Sequence, residues 1–352
     1  MGGLRILKVY SAKDIRNIVI AGHGGRGKTT LAEAMLYVAG ATDRLGKVAD
    51  GNTVMDYDAE EKRRKTSVSA AVAPLEWKNR KINLIDTPGL FDFEGAVHEG
   101  MRAAECALIV LAAGAGYDVG AEKAFDAADG RGIAKMFAVT RCDQENTDFA
   151  KTLEALKAEV GTKICPVVVP YYEGGAVKAY ANLATGKAYE YKNGKASKTA
   201  FPEDAAISEM RDVFNEAVAS ADDELMEKFF EGEEFTPEEI TKGLRVAVSN
   251  GDLAPVIVGC AEKAIGMDFL LETIERYIRE GKITPDLEVP MSGNRSFKYF
   301  KEETVKKYAK KFGWELITPK NIKDKFMKMV EKMDMSYSYK PVLLKAMFEH
   351  VD

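Results

Sequence analysis

Cysteine is scarce in this chain of 352 residues: its four copies, Cys106, Cys142, Cys165 and Cys260, are widely scattered and form no CxxC pair. That spacing argues against a zinc centre and against a disulfide framework, and a reducing cytoplasm is the setting it implies. Long apolar runs are missing as well. Nothing approaches the roughly 18 consecutive apolar residues of a membrane span, so no membrane partner is expected. The N-terminus lacks the apolar core and small-residue cleavage site of a secretory leader. Ile6 stands where a myristoylation motif takes Ser or Thr, which leaves lipid anchoring unsupported. Internal repeats and low-complexity tracts are also lacking.

What is there suits a folded protein with two or three domains: 46% hydrophobic and 30% charged residues can build a substantial core. Charge is unevenly spread. Residues 291–352 hold 14 Lys/Arg against 8 Asp/Glu, so the chain's net −5 leaves −11 on residues 1–290. The change falls near Pro285 to Pro290, where a domain boundary is expected.

Two segments between Gly22 and Gly89 belong together. Gly22-His23-Gly24-Gly25-Arg26-Gly27-Lys28-Thr29 fits GxxxxGK(S/T). In that pattern small residues let backbone N–H groups wrap phosphates, the lysine reaches the β and γ oxygens and the hydroxyl takes Mg2+. Asn17 to Ala21 reads as a buried strand and Leu31 to Val38 as a helix, which puts the loop at a helix N-terminus. Gly22, Gly24 and Gly27 also satisfy GxGxxG. A dinucleotide fold wants an acidic residue about 20 positions further on. The nearest, Asp43, lies in a polar stretch, and Lys28-Thr29 has no role in that fold, so the phosphate-loop reading is preferred.

Asp86-Thr87-Pro88-Gly89 follows the apolar run Ile82 to Ile85. Placed after a strand, Asp86 reaches the metal shell and the Gly89 N–H a γ-phosphate; the plain alternative is a strand ending in a Pro-Gly turn. Cys106 to Ala112, Met136 to Val139 and Pro166 to Val169 read as further strands, with helical stretches around 92–104, 118–130 and 147–160. This alternation predicts a doubly wound, mostly parallel α/β sheet of the P-loop NTPase kind, with ligands at the carboxyl ends of the strands.

The motifs in their order resemble one family. Gly22-His23 through Lys28-Thr29-Thr30, Asp50-Gly51 with Met55-Asp56, Ile82 through Gly89 and Ala221-Asp222-Asp223-Glu224-Leu225-Met226-Glu227-Lys228 are together similar to the GTPase portion of translation elongation factor G, in particular its elongation-factor-G-like branch. The likeness covers about residues 10–285, with a subdomain inserted at about 170–253. It leaves residues 291–352 unmatched, and the family's later domains are not visible.

The resemblance implies GTP and GDP as ligands, Mg2+ as cofactor, GTP hydrolysis as activity and the ribosome as partner. It implies phosphate binding by Gly22, His23, Gly24, Gly25, Arg26, Gly27, Lys28, Thr29, Thr30 and Gly89, and metal binding by Thr29, Ser67 and Asp86. Ser67 comes from matching a family Arg-Gly-Ile-Thr-Ile stretch backwards from Asp86. Thr66 lies one residue earlier, and Ser67 also reads as the first outward residue of a strand. The loop Arg44 to Thr66 is long and polar and is expected to move when no nucleotide is bound.

Two departures from the family bear on chemistry. Leu90 replaces the histidine that follows Asp-Thr-Pro-Gly, and an isobutyl group neither donates nor accepts a hydrogen bond to orient attacking water. Lys28 then remains as the catalytic charge; turnover is slow, or His23 or Arg26 substitutes, the latter as an arginine finger or else as an ordinary loop residue, or the domain is a weakly hydrolysing GTP-binding platform whose basic tail binds RNA or a protein partner. The family's Asn-Lys-x-Asp appears as Thr140-Arg141-Cys142-Asp143. Asp143 can still accept from the guanine ring N–H and amino group, Arg141 can lie against the base, and Gly259-Cys260-Ala261 can offer backbone N–H groups to its carbonyl. The alternatives left open are a turn role for Asp143 and use of ATP.

Within the insertion, Thr236-Pro237-Glu238-Glu239 is a helix start with a capping-box glutamate, and Val213 to Phe229 has one amphipathic face. In the tail, Tyr299 to Phe312 and Asn321 to Met333 read as helices, giving a basic helical module that packs on the GTPase or contacts RNA.

Overall fold

The computed structural model describes residues 10–145, 147–192 and 194–278, together with the backbone of 287–291 and 295–299. The chain divides into two compact units, Met1–Lys282 and Ile283–Asp352.

Among its described residues the first unit holds ten strands. These are β1 (Ile15–Ala21), β2 (Ala71–Trp77), β3 (Arg80–Asp86), β4 (Cys106–Ala112), β5 (Ala134–Thr140), β6 (Ile164–Glu173), β7 (Ala176–Asn182), β8 (Lys187–Lys192), β9 (Lys195–Thr199) and β10 (Ala254–Val258). They form one sheet in the order β2-β3-β1-β4-β5-β10-β6-β7-β8-β9. From β3 to β6 every pairing is parallel. Strands buried on both faces need no polar alternation, and all seven residues of β4 and of β5 are buried. Each Leu, Ile or Val so placed contributes about 1.5–3 kcal/mol relative to exposure.

Helices cover this sheet. They are α1 (Lys28–Val38), α2 (Ala59–Arg64), α3 (Glu94–Ala103), α4 (Val119–Asp129), α5 (Phe149–Val160), α6 (Ala205–Ala219), α7 (Asp223–Glu231), α8 (Pro237–Asn250) and α9 (Met267–Tyr277). One group, α1, α9 and α8, packs side by side, while α3 and α4 pack together over β1 and β4. Among the described residues no helix is long and apolar enough to cross a membrane.

The segment after β6 continues the sheet. β6 turns back antiparallel into β7, β8 and β9, and α6 packs on β6 before α7 and α8 lead to β10. An aromatic cluster fastens this meander: Tyr191 meets Tyr180 and Phe269 edge-on, and its hydroxyl donates to Asp268 Oδ1 at 2.6 Å. Thr236 caps α8 in a capping box, as its sequence leads one to expect. The single amphipathic stretch expected over Val213 to Phe229 needs correction: it is split at Ser220 to Asp222, because Asp222 turns its side chain back to accept from the Glu224 N–H and starts α7 anew.

In the second unit the described backbone is an antiparallel hairpin of β11 (Leu287–Met291) and β12 (Arg295–Tyr299). A helix beginning at Tyr299 is therefore corrected to a strand end there. The remainder of that helix and the one at Asn321 to Met333 lie outside the described residues.

Candidate functional site

The carboxyl ends of β1, β3, β5 and β10 bring the candidate residues to one edge of the sheet. Gly22 follows β1 with φ +130°, and a Cβ there would stand 2.7 Å from the Val110 carbonyl oxygen. Only glycine can pass this close to β4. Gly25 (φ +72°) and Gly27 (φ +90°) turn the chain into α1, whose first residue is Lys28. The Lys28 side chain is buried, its Nζ donates to the His23 carbonyl at 3.0 Å, and burial lowers its pKa. Gly89 lies directly against it, since a Cβ on Gly89 would overlap Lys28 Nζ and come within 2.6 Å of the Gly24 nitrogen. The two halves of the motif thus enclose the lysine.

Thr29, Ser67 and Asp86 come together. Thr29 Oγ1 donates to Asp86 Oδ2 at 2.7 Å and lies 3.1 Å from Ser67 Oγ. Ser67, rather than Thr66, faces the loop, and its hydroxyl donates to Asp56 Oδ1 at 2.7 Å. Asp86 is 1% exposed; its Oδ1 is buried without a partner, and burial pushes its pKa up to about 7, with Lys28 opposing. An orphaned buried carboxylate oxygen beside two hydroxyls is an all-oxygen set that a hard divalent cation fits.

The base side is equally assembled. Asp143, Cys260, Ala261, Thr140, Arg141 and Thr30 are among the residues lining a cavity of about 240 Å³. Asp143 Oδ2 accepts from Lys263 Nζ and, at 3.3 Å, from Cys260 Sγ. Burial raises the Asp143 pKa, but these donors outweigh it and the net shift is downward. Thr140 Oγ1 lies within hydrogen-bond reach of the Leu111 and Arg26 carbonyls, at 3.0 and 3.2 Å, and so stitches the base loop to the phosphate loop. Arg141, at φ +62°, donates to the Gly25 carbonyl at 2.9 Å. The Gly259 and Cys260 N–H groups are spent on Val139 and Ile265 carbonyls. Ala261 opens a short 3-10 turn, where the first N–H has no acceptor within the turn, so it is the remaining backbone donor of the three.

Arg26 is held by an ion pair: its Nε donates to Asp118 Oδ2 at 2.8 Å, and Asp118 also caps α4 through the Ala121 N–H. His23 sets its ring edge-on to Phe91 at 5.6 Å, with Nδ1 buried and unpartnered. Leu90 is 42% exposed and packs 3.4 Å from where a Cβ on Gly24 would sit.

Sequence reasoning quoted Asp56 within a motif without giving it a role, and missed Glu33, Glu61 and Lys263. Glu33 carried a signal, being the one acid within the apolar run Leu31, Ala32, Ala34, Met35 and Leu36, all buried. The loop expected to be mobile contains α2, and Glu61 Oε1 in that helix accepts from the Val68 and Ser69 N–H groups.

Comparison with known proteins places the fold in a family. The family model for the elongation factor Tu GTP binding domain matches residues 13–280. Two curated relatives, both described as elongation factor G-like protein and found in two strains of Mycobacterium tuberculosis, are each 35% identical over 266 residues. The match takes in 74% of this chain and 37% of theirs, so the chain spans just over a third of their length. A crystal structure of a Thermus thermophilus protein superposes with a TM-score of 0.71 at 38% identity, covering 77% of this chain and 41% of the other.

Proposed function

This chain belongs to the elongation factor Tu GTP binding domain family, and from that premise we propose that it binds GTP and GDP with Mg2+ and hydrolyses GTP at a slow intrinsic rate. The observation that carries the reading is the meeting of Thr29, Ser67 and Asp86 beside a buried Lys28 and Gly89. Backbone N–H groups of residues 24–29 and the Lys28 ammonium neutralise the phosphates, as in phosphate loops generally. Thr29, Ser67 and Asp86 hold the Mg2+, which when bound neutralises charge on the β- and γ-phosphate oxygens. Asp143 accepts from the guanine ring N–H and amino group, exchanging its Lys263 and Cys260 donors for those of the base, while Arg141 flanks the base and the Ala261 N–H meets its carbonyl.

Slow turnover follows from what stands near the γ-phosphate position. Leu90 offers no atom to orient water, and Arg26, held by Asp118, does not reach across as an arginine finger. Catalysis then rests on positioning and charge, with Lys28 as the principal cation. The switch segments around Ser67 and Gly89 close on GTP and relax after hydrolysis. A cytoplasmic, ribosome-linked role is part of this proposal, and its support is the description of the relatives as elongation factor G-like. Phosphate release from GTP, measured with and without added ribosomes, tests it. Slow release that ribosomes accelerate is expected, and the absence of any release under either condition contradicts hydrolysis.

A further inference from the structure

Thr29 and Glu33 sit four residues apart on α1, a spacing that puts both on one face of the helix. Thr29 faces Ser67 and Asp86. One turn further on, Glu33 is 1% exposed and its Oε1 accepts from the Val54 N–H at 2.6 Å and the Met55 N–H at 3.0 Å. The adjoining Asp56 accepts the Ser67 hydroxyl, and Ser67 returns to Thr29. The result is a closed circuit: α1, the backbone at 54–55, Asp56, Ser67, and back to α1. The other carboxylate oxygen is equally confined. A Cβ on Gly46 would overlap Glu33 Oε2 and stand 3.0 Å from the Thr53 Cα, so the loop is built to lie flat on this side chain.

A charged side chain deep in an apolar helix face costs stability unless it is fully hydrogen-bonded. Glu33 spends its acceptors on a loop rather than on a countercharge. Asp56 and Asp86 are themselves acidic, so Glu33 adds repulsion at the metal side of the site. Its place in the fold is therefore tied to the two backbone N–H groups it accepts from.

We propose that Glu33 is a positioning residue for the triphosphate state: it straps the Val54–Met55 backbone to the helix that carries Lys28 and Thr29, and so holds Asp56 and Ser67 where a γ-phosphate and its metal need them. The inference rests on the GTP site proposed above and assigns the strap that lets the loop discriminate GTP from GDP. GDP, lacking the third phosphate, makes little demand on Ser67 and binds without the strap.

The test uses the full chain, Mg2+, a fluorescent GDP and a slowly hydrolysed fluorescent GTP analogue, with Glu33→Ala, Glu33→Gln and Gly46→Ala. Glu33→Ala removes a charged acceptor from two backbone N–H groups, one of them buried, and is expected to weaken the GTP analogue about tenfold or more, with GDP affinity changed by less than about twofold. Glu33→Gln keeps a carbonyl acceptor and restores most of the preference. Gly46→Ala leaves Glu33 in place yet pushes the loop off it, and weakens the GTP analogue selectively, which keeps the test decisive should Glu33→Ala fold poorly. Equal loss for both nucleotides, no loss for either, or a Glu33→Gln variant as impaired as Glu33→Ala overturns the strap. A wild-type chain that binds neither nucleotide sinks the GTP site itself and the strap with it, and that outcome is visible before any variant is made.

Discussion

Thr29 Oγ1 donates to Asp86 Oδ2 at 2.7 Å, tying the first turn of α1 to the end of the neighbouring strand β3. The bond satisfies one oxygen of Asp86 and leaves the other buried without a partner. That asymmetry is how a site for a cation looks from the protein side: the group is costly to keep charged until a positive ligand shares it.

A pH dependence follows. Burial raises the Asp86 pKa from its ordinary 3.8 to about 7. The folded chain therefore retains a proton that the unfolded chain releases. The stabilisation is complete below about pH 4 and disappears as pH rises through 7, an effect on the order of 4 kcal/mol for this shift. In EDTA and without nucleotide, thermal melts are expected to show wild type losing stability between pH 5 and 8, with Asp86→Asn showing a flatter profile. A pH profile identical in the two proteins contradicts this assignment.

Leu90→His tests the water-orienting deficit. The substituted imidazole both donates and accepts, and positioned acid–base groups contribute about a hundredfold or more to proton-coupled steps. Single-turnover phosphate release is expected to rise at least about tenfold with little change in GTP affinity; an unchanged rate places the bottleneck elsewhere.

Asp143→Ala removes the acceptor for two guanine donors. Hydrogen bonds to charged groups contribute about 1.5–3 kcal/mol each, so GTP affinity is expected to fall by about 3 kcal/mol or more while ATP affinity barely moves. Competition titrations read both. Parallel loss for the two purines makes Asp143 a structural turn residue.

Gly22→Ala combines φ +130° with a Cβ 2.7 Å from the Val110 carbonyl oxygen. It is expected to cost about 1–3 kcal/mol or more, read as a lower denaturation midpoint. Gly25→Ala, where no heavy atom lies within 4 Å of the added carbon, is the milder control.

The parallel core was legible in the sequence because buried strands need no polar face: Cys106 to Ala112 could be bounded to the residue. The edges were not. β9 is exposed along almost its whole length and its two lysines, serine and threonine resemble a loop, while β2 alternates buried Ala71, Ala73 and Leu75 with exposed Val72, Pro74 and Glu76 and carries Pro74 inside it, a residue that argues against a strand. The phosphate loop could be read because its glycines and Lys28-Thr29 are contiguous. The strap could not, since Glu33, Gly46 and Met55 meet only through tertiary contact. α7 was hidden because Asp222 acts as a cap inside an otherwise continuous apolar pattern.

The central claim is a purine triphosphate site whose phosphates are met by residues 22–29 and whose base is chosen by Asp143. Displacement of a fluorescent GDP by GTP and by ATP, in Mg2+, tests it most directly. GTP is expected to displace at concentrations about a hundredfold below those ATP requires, the gap that two charged hydrogen bonds provide. Displacement by ATP as readily as by GTP, or no binding of the fluorescent GDP at all, contradicts the account.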